Sequence, residues 1–481
     1  MTKLIFFYAS ARIARFSTGD LRFARLIVVV FALSPMLNAR LPFGADHLLD
    51  PVETHTALGI ALLVCAGAWL LERKWISAAI LTAACIYVSA PFAIFMLFAF
   101  LVLAVPDWRV DQRKILASAL TGAIMMSPFA IADREHVLGA SPPDYVQALL
   151  LFYPFHLKFS AHPLRWQILG PGFIFLTAAI VLWARSRGAA PNRRLELMAL
   201  SFVFPVLLGV VAGEWFLTPF IARLQLMRAD TFLFCFSALL LANAAYALVR
   251  QRESLWAYTA LVMGALVFLL PLTPLRLLLL AVGIPLALWP GTLSALDWFK
   301  SLNRMRPVLR GWSPAAAQMA LVAALFVVYA VLLVAAWKDP RTFEQFSPHD
   351  RPMGDWKNLQ FWARDNTQRD AVFLVPTGVE GFRVFSQRSS WGEWKDGNGV
   401  YFYPALAPGY ISDMGEMGLD DSIPANKYVT LDERYDAMPW EKLVSIARKH
   451  QLQYIIQFSD VGYPGEIVYA NSSYKVYRVP S

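Results

Sequence analysis

Charge is scarce in this sequence: Asp, Glu, Lys and Arg make up 16% of 481 residues, while 57% are hydrophobic and 14% aromatic. With a mean hydropathy of +0.48, that balance excludes an ordinary soluble globule and leaves a chain much of whose surface must face lipid. Cysteine is scarcer still. Cys65, Cys85 and Cys235 all fall inside apolar runs, with no CxxC and no partner at metal-ligand spacing, so they read as small core residues and not as a disulfide framework. Also missing are GxSxG, HExxH, a Walker A loop and GxGxxG, which leaves serine-hydrolase, zincin and nucleotide-driven chemistry without a motif. A secretory signal does not fit either, because Arg12 and Arg15 interrupt the first apolar run and no small-residue cleavage pattern follows it.

What charge there is divides unevenly. Up to residue 339 there are 28 Lys+Arg against 16 Asp+Glu, and beyond it 15 against 18. The basic excess behind the net charge of +9 therefore belongs to the apolar part, between hydrophobic runs, where cytoplasmic loops carry it. No groove for a phosphate backbone is implied, and no nucleic-acid partner is expected.

A helix crossing about 30 Å of hydrocarbon takes roughly 20 apolar residues. About eleven segments reach or approach that length, at 24–41, 55–71, 76–89, 92–105, 114–133, 170–186, 196–213, 231–249, 255–272, 274–292 and 316–338. The third and fourth are short and share Pro91, a pattern that suits a pair dipping into the membrane and returning under cover of protein or a water-filled cavity. Every second loop is basic: Arg12, Arg15, Arg22 and Arg25; Arg73 and Lys74; Arg109, Arg113 and Lys114; Arg185, Arg187, Arg193 and Arg194; Arg250 and Arg252; Lys300, Arg304, Arg306 and Arg310. The alternate loops hold only scattered cations, Arg40, Arg134, Lys158, Arg165, Arg223, Arg228 and Arg276. The positive-inside rule puts those loops, and the C-terminal domain, outside. This topology requires residues 4–13 to descend from the outside although they are about half a span long. Two readings stay open, a short re-entrant or interfacial segment, or a sequence without its earlier spans.

No Asp, Glu, Lys or Arg falls in the middle of a predicted span, which speaks against a pump or ion-coupled transporter. Asn243 is the main polar residue there, and an interhelical hydrogen bond accounts for it. The division is a multi-span domain over 1–338 and an extracytoplasmic domain over 339–481. In the second, 355–365 reads as an amphipathic helix with Trp356, Leu359 and Trp362 at helical spacing, 371–375 as a buried strand, 382–386 as a further strand, and 391–419 as irregular. A second helix at 440–450 and strands at 453–458, 466–469 and 474–478 complete a small α/β layer.

Chemistry is expected on the outer face. The first outer loop, 42–54, carries Asp46, His47, Asp50 and Glu53, with His55 just beyond, enough for a general base or a divalent-metal ligand set. Asp50 before Pro51, with Glu53, is equally a helix N-terminus. The second loop, 136–167, holds Asp144-Tyr145 and a run at 150–157 apolar enough to lie along the membrane interface, with His156 as a candidate catalytic group or a structural hydrogen-bonding residue. In the third, 214–230, Arg223 and Arg228 are placed to hold a lipid phosphate or pyrophosphate, or else to snorkel to headgroups or pair with Glu214 and Asp230. Within the C-terminal domain Arg383, Ser386 and Arg388, with Lys395 nearby, form a cluster suited to phosphate or sugar hydroxyls, or a solvated loop tied by local salt bridges.

The succession of an apolar bundle with long outer loops, a last span, a helix, Asn366-Thr367 and Arg369-Asp370-Ala371-Val372-Phe373-Leu374-Val375-Pro376 resembles the membrane-embedded GT-C glycosyltransferases and bacterial families related to them. The 452–456 segment, 467–471 and 474–478 are similar to the way outer domains of such proteins end, and 381–388 and 153–157 resemble signatures of one uncharacterised bacterial branch, in which a second His is expected where Phe155 stands. The resemblance implies a GT-C-like bundle and transfer of a sugar from a polyprenyl-phosphate donor at the outer face of a bacterial inner membrane. It implies an outer-loop carboxylate as base, for which Asp46, Asp50 and Glu53 are the candidates here, with His156 beside them. Basic groups would stabilise the leaving phosphate, for which Arg223, Arg228, Arg383 and Arg388 are the candidates. No cofactor is required by it, and a divalent metal is compatible with it. The family carries its essential carboxylate after the first span, whereas the first outer loop here corresponds to a later one. A non-catalytic subunit, binding a lipid-linked glycan or an envelope partner beside membrane lipid, is the competing expectation.

Overall fold

A computed structural model describes residues 1–34, 48, 54–132, 141–162, 164–186, 188, 191–250, 353–419 and 427–480. The spans expected at 255–272, 274–292 and 316–338 lie outside the described residues, as does the latter part of the one at 24–41. The chain divides into two compact units, residues 1–135 with 155–334, and residues 136–154 with 335–481.

The first unit is helical. Helix α1 (Thr2–Thr18) buries Phe6, Ala9 and Ile13 on one face and ends at Gly19, whose φ of 71° no β-carbon obstructs. It is longer than the half-span expected at 4–13, and Arg12, which interrupts the apolar run, is neutralised: its guanidinium forks onto Glu72 at 2.5 and 2.6 Å. Asp20 caps α2 (Leu21–Ala32) by accepting from the Arg22 amide at 2.8 Å. Helix α3 (His55–Leu71) is capped by Thr54, whose hydroxyl accepts from the Ala57 amide at 3.0 Å. The helix N-terminus expected at Asp50 lies outside the described residues.

The run α4 (Trp75–Ala132) covers three of the expected spans and leaves helical backbone at Ser89 (φ −157°, ψ 85°) and Asp111 (φ −116°, ψ 17°). Pro91 supplies the reason for the first break, since it lacks an N–H and its ring opposes the carbonyl four residues back. The run folds back at both points. Trp75 Nε1 donates to Asp111 Oδ2 at 3.3 Å and the Tyr87 hydroxyl to the Met125 carbonyl at 2.7 Å, whereas 36 residues of straight helix would separate their ends by about 54 Å. The first arm, 75–88, is about 21 Å long, shorter than about 30 Å of hydrocarbon.

In the segment that follows, α5 (Tyr145–Phe152) belongs to the second unit. The first unit resumes with α6 (Leu164–Ser186), α7 (Arg193–Trp215), the single turn α8 (Pro219–Leu224) and α9 (Asp230–Arg250). Among the described residues three helical segments are long and apolar enough to cross a membrane, Trp75–Ile131, Arg193–Trp215 and Pro219–Arg250, with His55–Leu71 and Leu169–Leu182 apolar but shorter. Their outward side chains, among them Leu101, Leu120, Phe175, Phe204 and Leu207, are apolar and exposed, the surface of a membrane protein. Asn243 makes interhelical bonds, accepting from the Asn192 amide and donating to the Ser17 carbonyl.

The second unit is built on a five-stranded sheet of order β2-β1-β3-β5-β4. Helix α10 (Met353–Asn366) precedes β1 (Val372–Leu374); then come the short α11 (Phe382–Ser386), β2 (Ser389–Trp391), α12 (Asn398–Phe402), α13 (Ala407–Glu416), α14 (Lys427–Asp436) and α15 (Trp440–Lys449). Strands β3 (Tyr454–Phe458), β4 (Ile467–Ala470) and β5 (Tyr474–Arg478) finish the chain. β1 runs parallel to β2 and β3, and β5 antiparallel to β3 and β4. Residues 382–386 are a helix and not the expected strand: Phe382 and Ser386 are buried while Val384 is exposed, a period of four, and Ser386 Oγ donates to the Phe382 carbonyl at 2.6 Å. The 391–419 stretch, expected to be irregular, holds α12 and α13.

Helix α5 completes this core. Its Phe152 ring lies 4.6 Å from that of the fully buried Trp394, with Tyr401 and Tyr410 at 6.0 and 6.3 Å, and Trp394 Nε1 donates to the Leu151 carbonyl at 3.4 Å. Gly397 permits the approach, because a β-carbon there would stand 2.6 Å from Tyr410 and 2.7 Å from Phe152. The apolar residues 145–152, part of which had been expected along a membrane interface, are thus buried within a soluble-type core.

Candidate functional site

The helices of the first unit have two unlike ends. At one, carboxylates and basic residues interlock: Arg73 reaches Asp107 at 2.8 Å and Asp111 at 3.8 Å, Lys114 meets Asp111 at 3.2 Å, Lys74 meets Glu72 at 2.9 Å, Arg194 pairs with Asp107, and Arg185 with Glu196. Arg194 also closes α3 by donating to the Leu70 and Leu71 carbonyls at 2.7 and 2.9 Å. These are the basic loops that the sequence places on one side, and here they meet.

At the other end α7 finishes at Glu214, whose carboxylate accepts from the Ser160 amide at 2.6 Å and hydroxyl at 2.9 Å. The carboxylate is therefore held by the 155–162 segment. Gly213 lets that segment close in, since a β-carbon there would overlap the Leu157 carbonyl oxygen at 1.8 Å. In the same segment His162 Nε2 bonds the Phe155 carbonyl at 2.9 Å, and half-buried His156 occupies a single 3-10 turn, Pro154–His156.

Between α8 and α9 the chain breaks at Gln225, a non-glycine residue at φ 46°, and forms the 3-10 turn Leu226–Ala229. This turn sits against α7 at Gly209, where a β-carbon would stand 2.7 Å from the Met227 amide nitrogen. Gly209 lies five residues before Glu214, so the turn is recessed by about 7 Å from the end of α7. Arg228 is carried on it, half-buried, donating to Gln225 Oε1 at 2.6 Å and lying 4.6 Å over the ring of Phe92, just past the Ser89 break. Arg223, on α8, is likewise half-buried. The bundle thus brings Arg228, Gln225 and the α4 turn together below the level of Glu214 and Ser160. Asp46, His47, Asp50 and Glu53 lie outside the described residues.

In the second unit the basic cluster of the sequence is divided between two structural duties. Arg383 forks onto Asp396 at 2.7 and 2.8 Å and donates to the Ser390 carbonyl; Arg388 donates to the carbonyls of Arg364 and Thr367 and to Thr367 Oγ1, tying α11 to the end of α10. Lys395 pairs with Glu380 at 2.9 Å and Ser386 is buried within α11. Behind Arg383 stands Glu393, 4% exposed, which accepts from Ser390 Oγ at 2.8 Å. Burial pushes its carboxyl above the usual range, and the Ser390 bond and the Arg383 charge only partly offset that. Sequence reasoning missed Glu393, and the only local sign is its place between two tryptophans.

Among the described residues the group able to hold a metal ion is Asp413, Glu416 and His450, whose ligand atoms lie within 4.8 Å of one another. Burial raises the Asp413 carboxyl. Burial acts the same way on Glu416, but hydrogen bonds from Lys449 and His450 outweigh it and leave that carboxyl below the usual range.

A family model described as a domain of unknown function (DUF6798) matches residues 354–398, which take in α10, β1, α11, β2, Arg383, Arg388, Glu393 and Asp396. No curated protein matches the chain.

Proposed function

We propose that this protein is a GT-C-like glycosyltransferase of about eleven spans, set in a bacterial inner membrane with its C-terminal domain outside, using a polyprenyl-phosphate-linked sugar at the outer face. The observation that carries this reading is the recessed Arg228. A guanidinium resting on an amide oxygen and an aromatic face, at the end of the bundle away from the basic loops, is suited to an oxyanion arriving from the lipid side. Charge develops on the leaving phosphate oxygen during transfer, so such a group acts most strongly in the transition state. Arg223 is the second phosphate-facing candidate. Asp46, Asp50 and Glu53 are the candidate bases and His156 an accessory one; a divalent metal could join the same carboxylates.

The test is turnover of a radiolabelled polyprenyl-phosphate sugar by purified protein in lipid nanodiscs. Arg228→Ala should lower kcat by about 100-fold or more, the cost of removing one transition-state donor, and Asp46→Asn or Asp50→Asn should abolish the activity that depends on a base. Equal turnover in Arg228→Ala and the parent protein would end the proposal.

The second reading is a non-catalytic subunit that binds a lipid-linked glycan or an envelope partner. It is favoured by the engagement of Arg383 and Arg388 in bonds within the domain, which assigns the basic groups of the DUF6798 match to packing. Saturable donor binding with no transfer from any donor would select it.

A further inference from the structure

We propose that Asp413, Glu416 and His450 form a binding site for a divalent transition-metal ion in the C-terminal unit. The two carboxylates are one helical turn apart on α13, at i and i+3, so they project from one face. His450 arrives from the end of α15, 34 residues later in sequence, and its Nε2 is 3.0 Å from Glu416 Oε2. A metal bound at about 2.0–2.2 Å by imidazole and carboxylate sets adjacent ligand atoms about 3.0–3.4 Å apart, close to the spacing this pair already has. Closing the trio around an ion therefore asks only for a rotamer adjustment from a spread of 4.8 Å.

Three further features favour an ion over a plain salt bridge. Trp391, at the end of β2, packs against the His450 ring at 4.4 Å between centroids, tilted by 30°, and limits its orientation, as an orienting neighbour does for a ligating imidazole. Lys449 engages Glu416 through the other oxygen, Oε1, at 2.5 Å, and leaves Oε2 to the site. The carboxylate of half-buried Asp413 makes no hydrogen bond or ion pair among the described residues; a surface ion pair of Glu416 with Lys449 and His450 has no use for it. One nitrogen and two carboxylate oxygens suit Zn2+, Co2+ or Mn2+. Cu+ would want sulfur, and Mg2+ and Ca2+ all-oxygen cages. Glu416 and His450 side chains are 21% and 23% exposed, which leaves coordination positions open to water.

The experiment uses the full chain in nanodiscs, freed of any affinity tag and stripped with chelator, titrated with CoCl2. The expected result is a visible d–d absorption band, displaced by Zn2+, that includes one saturable ion per chain dependent on His450. His450→Ala and the isosteric Asp413→Asn should each weaken binding beyond the roughly 10- to 100-fold that losing an outer-shell partner costs. Glu466→Gln, at an exposed carboxylate paired with Arg478, should leave it unchanged, and Lys449→Met, which removes a competing cation from Glu416, should tighten it. No saturable band, or a band that survives both His450→Ala and Asp413→Asn, overturns the site. Because the readout is metal uptake, it stands or falls apart from glycosyl transfer.

Discussion

Phe152 lies in a segment between two membrane helices, yet the structure makes it a core residue of the C-terminal unit, and Phe152→Ala tests that directly. The side chain is 4% exposed and its ring centroid lies 4.6 Å from that of Trp394. Truncating a buried phenylalanine removes its transfer free energy and leaves a cavity, together about 3–5 kcal/mol, part of it the aromatic pairing. Domains are stable by about 5–15 kcal/mol, so the loss is a large share, and each 1.4 kcal/mol is roughly tenfold in the open population. Native-state proteolysis of the nanodisc-embedded protein reads that population when reclosing is fast. Phe152→Ala should raise the cleavage rate within residues 353–480 by about 100-fold or more, matching Phe382→Ala in the same core. The lipid-side variant Phe204→Ala should leave it unchanged. If Phe382→Ala accelerates cleavage and Phe152→Ala does not, α5 is no part of this core and the reasoning fails.

Asp107 is buried between Arg73 and Arg194, so Asp107→Asn leaves the mostly buried Arg194 without its carboxylate, while Arg73 keeps Asp111, and should cost about 3 kcal/mol, seen as earlier loss of monodispersity on heating in detergent. Gly213→Ala should displace the 155–162 segment and free Glu214, read as new accessibility of a cysteine placed at buried Leu157 to a water-soluble thiol reagent. Asp355 accepts from Ser472 and from Ser473 at 2.5 Å, bonds that hold its carboxyl below the ordinary aspartate value. Its stabilising effect is therefore complete above the unfolded pKa of about 3.9 and is lost as pH falls through the lower folded value. Asp355→Asn should destabilise the C-terminal unit at neutral pH, and denaturant titrations should show the difference from the parent shrinking in acid.

The parts legible in the sequence are those whose own periodicity names them. Trp356, Leu359 and Trp362 mark α10, the first two buried and the third half-buried, β5 occupies the expected 474–478, and α15 shows its buried Leu443, Val444 and Ala447 at helical spacing. Strand β2 escaped because Ser389 and Ser390 carry no hydrophobic signal, and α11 was misread because five residues cannot separate a period of two from one of four. For the membrane unit, Pro91 foretold the turn at Ser89, while the partner of Arg228, an aromatic ring 136 positions earlier, could not be foretold. The cluster at 383–388 was visible, but Asp396 and the carbonyls of Arg364 and Thr367, which take up its charge, were not. Asp413 and Glu416 are a local pair anywhere a helix is drawn; only the fold brings His450 to them.

The membership of α5 in the C-terminal core also sets a clock on synthesis. Leu151 and Trp394 are 243 residues apart, and a ribosome adding about 5–20 residues per second needs roughly 12–50 s to cover that distance. Throughout that interval the nascent chain displays Leu149, Leu151 and Phe152 with their final neighbours not yet made. Where the C-terminal domain lies outside, the helix waits on that side of the membrane, a substrate for whatever holdase receives newly translocated segments. A ribosome that stalls before residue 394 leaves behind a membrane bundle with a sticky, unclaimed helix, which marks the incomplete product for quality control.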